Sequence, residues 1–193
     1  MPLRFAEQTA DTRPLWVVDC DGFEDWAAAQ GATVQEFLTA TGFSGGLSQG
    51  AVFPLEAGGY GAVVGFGTAE KRARGRFALA AGMAKLPAGS YALQGALKEG
   101  DLASEALGVL LSGYRFDRYR AQAAPGATLV APQGIDVRQI EHIAAGEALT
   151  RDLINTPASD MGPPDLAHAA QTLADAYGAA CDVVEGDALL DQN

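Results

Sequence analysis

The sequence predicts an α/β fold: a three-layer arrangement with a mainly parallel sheet and helices on both faces. Three observations carry that reading. Short runs rich in Val, Leu and Phe recur between residues 15 and 131. Helical stretches of about 12 or more residues separate most of them. Of the 193 residues, 48% are hydrophobic, enough to cover both sides of a sheet. Strands that alternate with helices form βαβ units, and these pair in parallel.

Taken in order, residues 15–19 read as a short buried strand. Residues 21–43 read as helical, in two pieces broken near Gly31, with Trp26, Val34, Phe37 and Leu38 as apolar contacts. Gly42, Gly45 and Gly46 end that stretch. Residues 50–55 and 62–66 read as strands of a hairpin joined through Gly58, Gly59 and Gly61. Thr68 is a cap for a helix with residues 71–85 as its body, stopped by Pro87 and Gly89. Residues 91–94 are a further strand. Asp101 caps a helix through Leu102, Ala106, Val109 and Leu110, and residues 128–131 form another short strand.

From Asp136 the pattern changes. Residues 136–155 read as one long helix, with Val137, Ile140, Ala144 and Ala148 on one stripe and Leu149 and Leu153 roughly opposite. Apolar residues on two sides suit a helix that links two packed units. Pro157 ends it. Pro163 and Pro164 open another helix, with Leu166, Ala169, Ala170, Leu173 and Tyr177 on one face and Gly178 as its stop. Residues 181–184 read as a strand, and residues 187–191 begin one more element. The resulting division is 1–135 for an N-terminal α/β domain, 136–157 for a connecting helix, and 158–193 for the start of a truncated second α/β domain.

Charge narrows the function. Residues 1–135 hold 11 basic and 13 acidic side chains, whereas residues 136–193 hold 2 basic and 11 acidic. The net charge of −11 argues against a nucleic-acid partner, because such affinity comes largely from neutralising phosphates. No apolar run reaches the roughly 18 residues of a membrane span, and the first residues lack the layout of a signal peptide. Cys20 and Cys181 alone exclude a disulfide framework.

Candidate chemistry is sparse. Gly65, Phe66 and Gly67 precede Thr68 and Lys71 at a strand-to-helix turn. Such a turn either binds an anion through backbone N–H groups or needs two glycines for tightness. Glu70 stands where the dinucleotide fingerprint has its third glycine. Lys71, Arg72, Arg74 and Arg76 open the following helix, as an anion site, a contact to an acidic surface, or a solvated face. Arg115, Arg118 and Arg120 interleave with Phe116 and Tyr119. Those rings either stack on bases or pack in the core while Asp117 pairs with an arginine. His142 and His168 lie on different helices, without ligand spacing for a metal. No catalytic residue and no metal ligand is assigned.

Residues 150–166 contain Arg151, Asp152, Leu153, Asn155, Thr156, Pro157, Ala158, Met161 and Pro163 in an order that resembles the segment opening the catalytic domain of leucyl aminopeptidases (cytosol aminopeptidases, peptidase family M17). Ser159 replaces the usual Asn and Gly162 the usual Thr. Tyr114, Phe116, Asp117 and Tyr119 are similar to the family's Tyr-x-Phe-Asp-x-Tyr-Lys motif, and Gly65 with Gly67 to its Gly-Leu-Gly turn. Residues 1–60 carry no such likeness.

The resemblance implies a macro-domain-like N-terminal domain in a homohexameric, cytoplasmic metallo-exopeptidase that removes N-terminal residues, often leucine, from peptides. It implies two divalent metals (zinc, manganese or magnesium) in the parent enzyme and none in this chain. The catalytic and metal motifs would follow Asn193, so the chain reads as an inactive N-terminal portion serving assembly or regulation. Two other readings stay open: a macro-like module binding nucleotides or ADP-ribose, and a DNA-binding regulator, which the charge disfavours.

Overall fold

Five segments form one sheet: β1 (Arg13–Asp19), β2 (Gly50–Pro54), β3 (Tyr60–Gly67), β4 (Gly89–Leu93) and β5 (Ala127–Leu129). The computed structural model describes residues 3–95, 97, 102–123 and 126–191. The strand order is β2-β3-β1-β4-β5. β1 lies parallel to β3 and β4, and β4 parallel to β5, while β2 returns antiparallel to β3 as the hairpin pattern predicts. Beyond β5, Ala6 N–H donates to Leu129 O at 2.8 Å and continues the sheet by one bridge.

β3 shows why the strands read as apolar runs rather than alternations. Every residue from Gly61 to Gly67 is buried, because this strand is covered on both faces. Val63 and Val64 are each fully enclosed but point to opposite sides. Val64 joins Leu15, Tyr91 and Leu129 on the face covered by α4 (Ala78–Met83) and α5 (Leu102–Ser112), through Leu79, Met83, Ala106 and Val109. Val63 joins Val18 and Phe53 on the face covered by α1 (Phe23–Ala28) and α2 (Ala32–Thr41), through Val34 and Leu38. Each such aliphatic side chain contributes about 1.5–3 kcal/mol by leaving water. A third cluster joins the other side of α5 to α6 (Val137–Asn155), with Leu3, Leu110, Ile140 and Ala144 buried together.

The helix expected over residues 71–85 is two helices. α3 (Ala69–Arg72) is a single turn, and α4 begins only at Ala78. Phe77 between them sits in the left-handed region at φ 63°. Its side chain presses on Gly108 of α5, where a Cβ would lie 2.4 Å from the ring. The tertiary contact overrides the helix propensity of the Ala, Lys and Arg residues around it. Glu105 of α5 accepts a hydrogen bond from Leu79 N–H at 2.8 Å and so satisfies one donor at the start of α4. The predicted capping residue of α5, Asp101, lies outside the described residues.

The chain divides into two units, residues 1–148 and 149–193. The second holds the last turns of α6, then α7 (Pro163–Tyr177) and α8 (Ala188–Asp191). Gly178 ends α7 in the left-handed conformation, as predicted. Residues 181–184, read as a strand, form none: among the described residues of this unit no strand offers a hydrogen-bonding edge. Thr156 is the only buried side chain among the described residues of this unit. Leu166, Leu173 and Tyr177 stand exposed along α7.

Candidate functional site

The glycine turn lies where β3 ends. Gly67 adopts φ 66° and turns the chain into α3, where Thr68 Oγ1 accepts from Lys71 N–H at 3.3 Å. The two glycine N–H donors are engaged within the protein. Gly65 N–H donates to Gln49 O at 2.9 Å, and Gly67 N–H to Gly45 O at 2.8 Å. A Cβ at Gly65 would fall 2.0 Å from Gly46 O, and one at Gly67 would fall 2.8 Å from Leu47 Cβ. Both glycines therefore let residues 44–49 lie directly against the end of β3.

Gln49 organises that crossing segment. Its Oε1 accepts from Ser44 N–H at 3.0 Å and Gly46 N–H at 2.8 Å. Arg72 fastens the turn from the other side, donating to Phe66 O and Gly67 O at 3.1 Å each, with its guanidinium carbon 4.5 Å from the Phe66 ring centre. Arg74 pairs with Glu70 at 2.6 Å on the exposed side of α3. Two of the four cations at 71–76 thus serve local structure. Lys71 itself is exposed.

The second basic cluster follows α5. Arg115 donates to Ser112 O at 2.9 Å and to Tyr114 O at 2.7 Å, which fits a cation at a helix C-terminus. Phe116 and Tyr119 do not enter the core. They pack edge to face on each other at 5.8 Å, and Tyr119 is 55% exposed. Asp117 has no arginine partner among the described residues.

Residues 151–163 are punctuation between helices. Arg151, Asp152 and Asn155 lie in the last turns of α6. Thr156 Oγ1 donates to Asp152 O at 2.7 Å and closes that helix. After Pro157, Asp160 N–H returns to Pro157 O at 2.8 Å. Met161 is half-buried, and Gly162 N–H donates to Asp165 Oδ2 at 2.9 Å just before Pro163 opens α7. Among the described residues no three His, Cys, Asp or Glu side chains converge as a metal site requires. The anchoring role of Glu105 had no sequence signal, because it acts across 26 positions of chain; Gln49 acts only three and five residues away, in a loop that follows no motif.

Residues 13–132 match the family model described as "M17 aminopeptidase, N-terminal domain". The chain belongs to this family. A probable cytosol aminopeptidase from Syntrophotalea carbinolica is 36% identical over 96 residues, covering 42% of this chain and 19% of that protein. The crystal structure of a cytosol aminopeptidase from Coxiella burnetii superposes with a TM-score of 0.83 at 27% identity, over 97% of this chain and 40% of that one. The bottromycin maturation enzyme BotP, solved in complex with Mn, gives 0.66 at 29% identity, over 95% of this chain and 40% of its own. The M17 chain described here therefore spans about 40% of the length of these solved relatives. No helix among its described residues is long and apolar enough to cross a membrane.

Proposed function

We propose that this chain is the N-terminal portion of a metal-dependent, leucyl aminopeptidase-like exopeptidase of the cytoplasm. The whole protein would remove N-terminal residues from peptides as a homohexamer. The observation that carries this reading is the family match over residues 13–132, joined by a superposition that extends to 97% of the chain. On this reading residues 1–135 form the N-terminal domain, 136–157 the connecting helix, and 158–193 the head of the catalytic domain. Two divalent metals would polarise the scissile carbonyl and activate water in the parent enzyme. This chain's part is assembly or regulation. Arg151, Asp152, Asn155, Thr156, Pro157, Met161 and Pro163 serve it by stopping one helix and starting the next, with no chemical role.

The test is direct. Pure chain with added manganese is expected to release no p-nitroaniline from Leu-p-nitroanilide, and steady release overturns the reading. Reading the gene past codon 193 gives a second check, with Asn-Thr-Asp-Ala-Glu-Gly-Arg expected downstream. A nucleotide-binding role is disfavoured by the engaged N–H groups of Gly65 and Gly67. Calorimetric binding of ADP-ribose would reinstate it.

A further inference from the structure

We propose that the outer edge of β2 (Gly50–Pro54) is an interface that takes the same edge of a second copy of this chain, antiparallel, about a two-fold axis through Val52. The proposal does not rest on the peptidase reading. The two edges of the sheet differ. Beyond β5 the sheet is continued by Ala6, whereas β2 is the last strand on the other side. The hairpin fixes which backbone groups of β2 face inward. Gln49 O accepts from Gly65 N–H, Leu55 N–H donates to Gly59 O, and the register between them is unbroken. These groups alternate along an antiparallel pair, so residues 49, 51, 53 and 55 face β3 and residues 50, 52 and 54 face outward. Among the described residues no hydrogen bond takes the N–H or C=O of Gly50 or Val52, or the C=O of Pro54.

Such an edge pairs with another strand unless charge, a bulge or a covering element blunts it. β2 carries no charged side chain and no bulge, only Pro54 at its end. A register centred on Val52 suits that proline. The Val52 N–H and C=O exchange both bonds with those of the second Val52, and each Gly50 N–H meets the Pro54 C=O opposite. The N–H that proline lacks then leaves only Gly50 O unpaired, at the half-exposed start of the strand. A register that sets Val52 opposite Pro54 instead leaves the central Val52 C=O without a donor. Side chains match in the same register. Gly50 presents nothing to the Pro54 ring, and it has no room for a side chain, because its Cβ would lie 2.6 Å from Gly82 O of α4. On the other face Ala51 stands opposite Phe53, small against large. The fit is to this chain's own sequence, which selects a second copy over an unrelated strand.

Sedimentation of the full chain over a range of concentrations, with amide exchange followed by NMR on the same samples, tests this. A monomer–dimer equilibrium is expected. Raising salt is expected not to weaken it, since the edge is uncharged and both copies carry the same net negative charge. The Gly50 and Val52 amides are expected to exchange fast at low concentration and slowly at high, while those of Ala51 and Phe53 stay slow throughout. Val52→Pro removes a donor that faces outward, which an edge strand tolerates, and is expected to weaken the dimer at least about tenfold. Should that variant not fold, the amides of the unaltered chain decide. The proposal is overturned if the chain is a monomer at every concentration, if salt dissolves the dimer, if dimerisation leaves the Gly50 and Val52 amides fast, or if folded Val52→Pro dimerises as tightly.

Discussion

At the scale of single residues, glycines divide into those that a side chain would collide with and those that face open space. Gly65 lies against the backbone of Gly46, so Gly65→Ala forces the two segments apart. Urea denaturation is expected to show a loss of about 1–3 kcal/mol, the range for overpacked sites. Gly146 sits inside α6 with nothing within 4 Å of a built Cβ. Gly146→Ala is expected to stabilise by about 0.5–1 kcal/mol, since alanine loses less backbone entropy in a helix. Equal effects at the two positions would contradict this account. The sequence marks both as glycine and does not distinguish them, because the difference lies in what another segment places opposite.

At the scale of elements, the legible features were those with a local cause. Gly42 and Gly178 end α2 and α7 in the left-handed conformation, and Pro163 opens α7, all readable from residue type. The break before α4 was not readable. Gly75 is the one nearby residue that weakens a helix, by about 1 kcal/mol, while the left-handed conformation of Phe77 goes with its packing on Gly108, 31 positions away in the sequence. Glu105 belongs to the same long-range class. Glu105→Ala leaves Leu79 N–H without its acceptor and is expected to cost about 1 kcal/mol in chemical denaturation, whereas Glu105→Gln keeps an acceptor and loses less. A strand at 181–184 was read from Val183 and Val184, but pairing requires a neighbour that residue type does not supply. Of the candidate site, the glycine positions were legible, and the use of their N–H groups was not.

At the scale of the whole molecule, burial is concentrated in the first unit. Its two sheet faces hold the large enclosed side chains, among them Tyr91, Phe53 and Leu15. The described part of the second unit buries Thr156 alone, so its helices have little apolar burial to hold them. Hydrogen exchange followed by mass spectrometry is expected to show slow exchange across β1 and β3 and fast exchange across α7. Protection of α7 equal to that of β3 in the isolated chain would refute this. The charge is also uneven along the chain: residues 1–135 are nearly neutral, and the acidic excess lies in residues 136–193, which include the second unit. The crossing of residues 44–49 over the end of β3 has a consequence for divergence. Gly65 and Gly67 leave no room for a side chain beside residues 45–47, so the two segments are not free to drift separately. A descendant that gains a side chain at position 65 must shorten or reroute 44–49 in the same lineage, and the two segments should change as a pair.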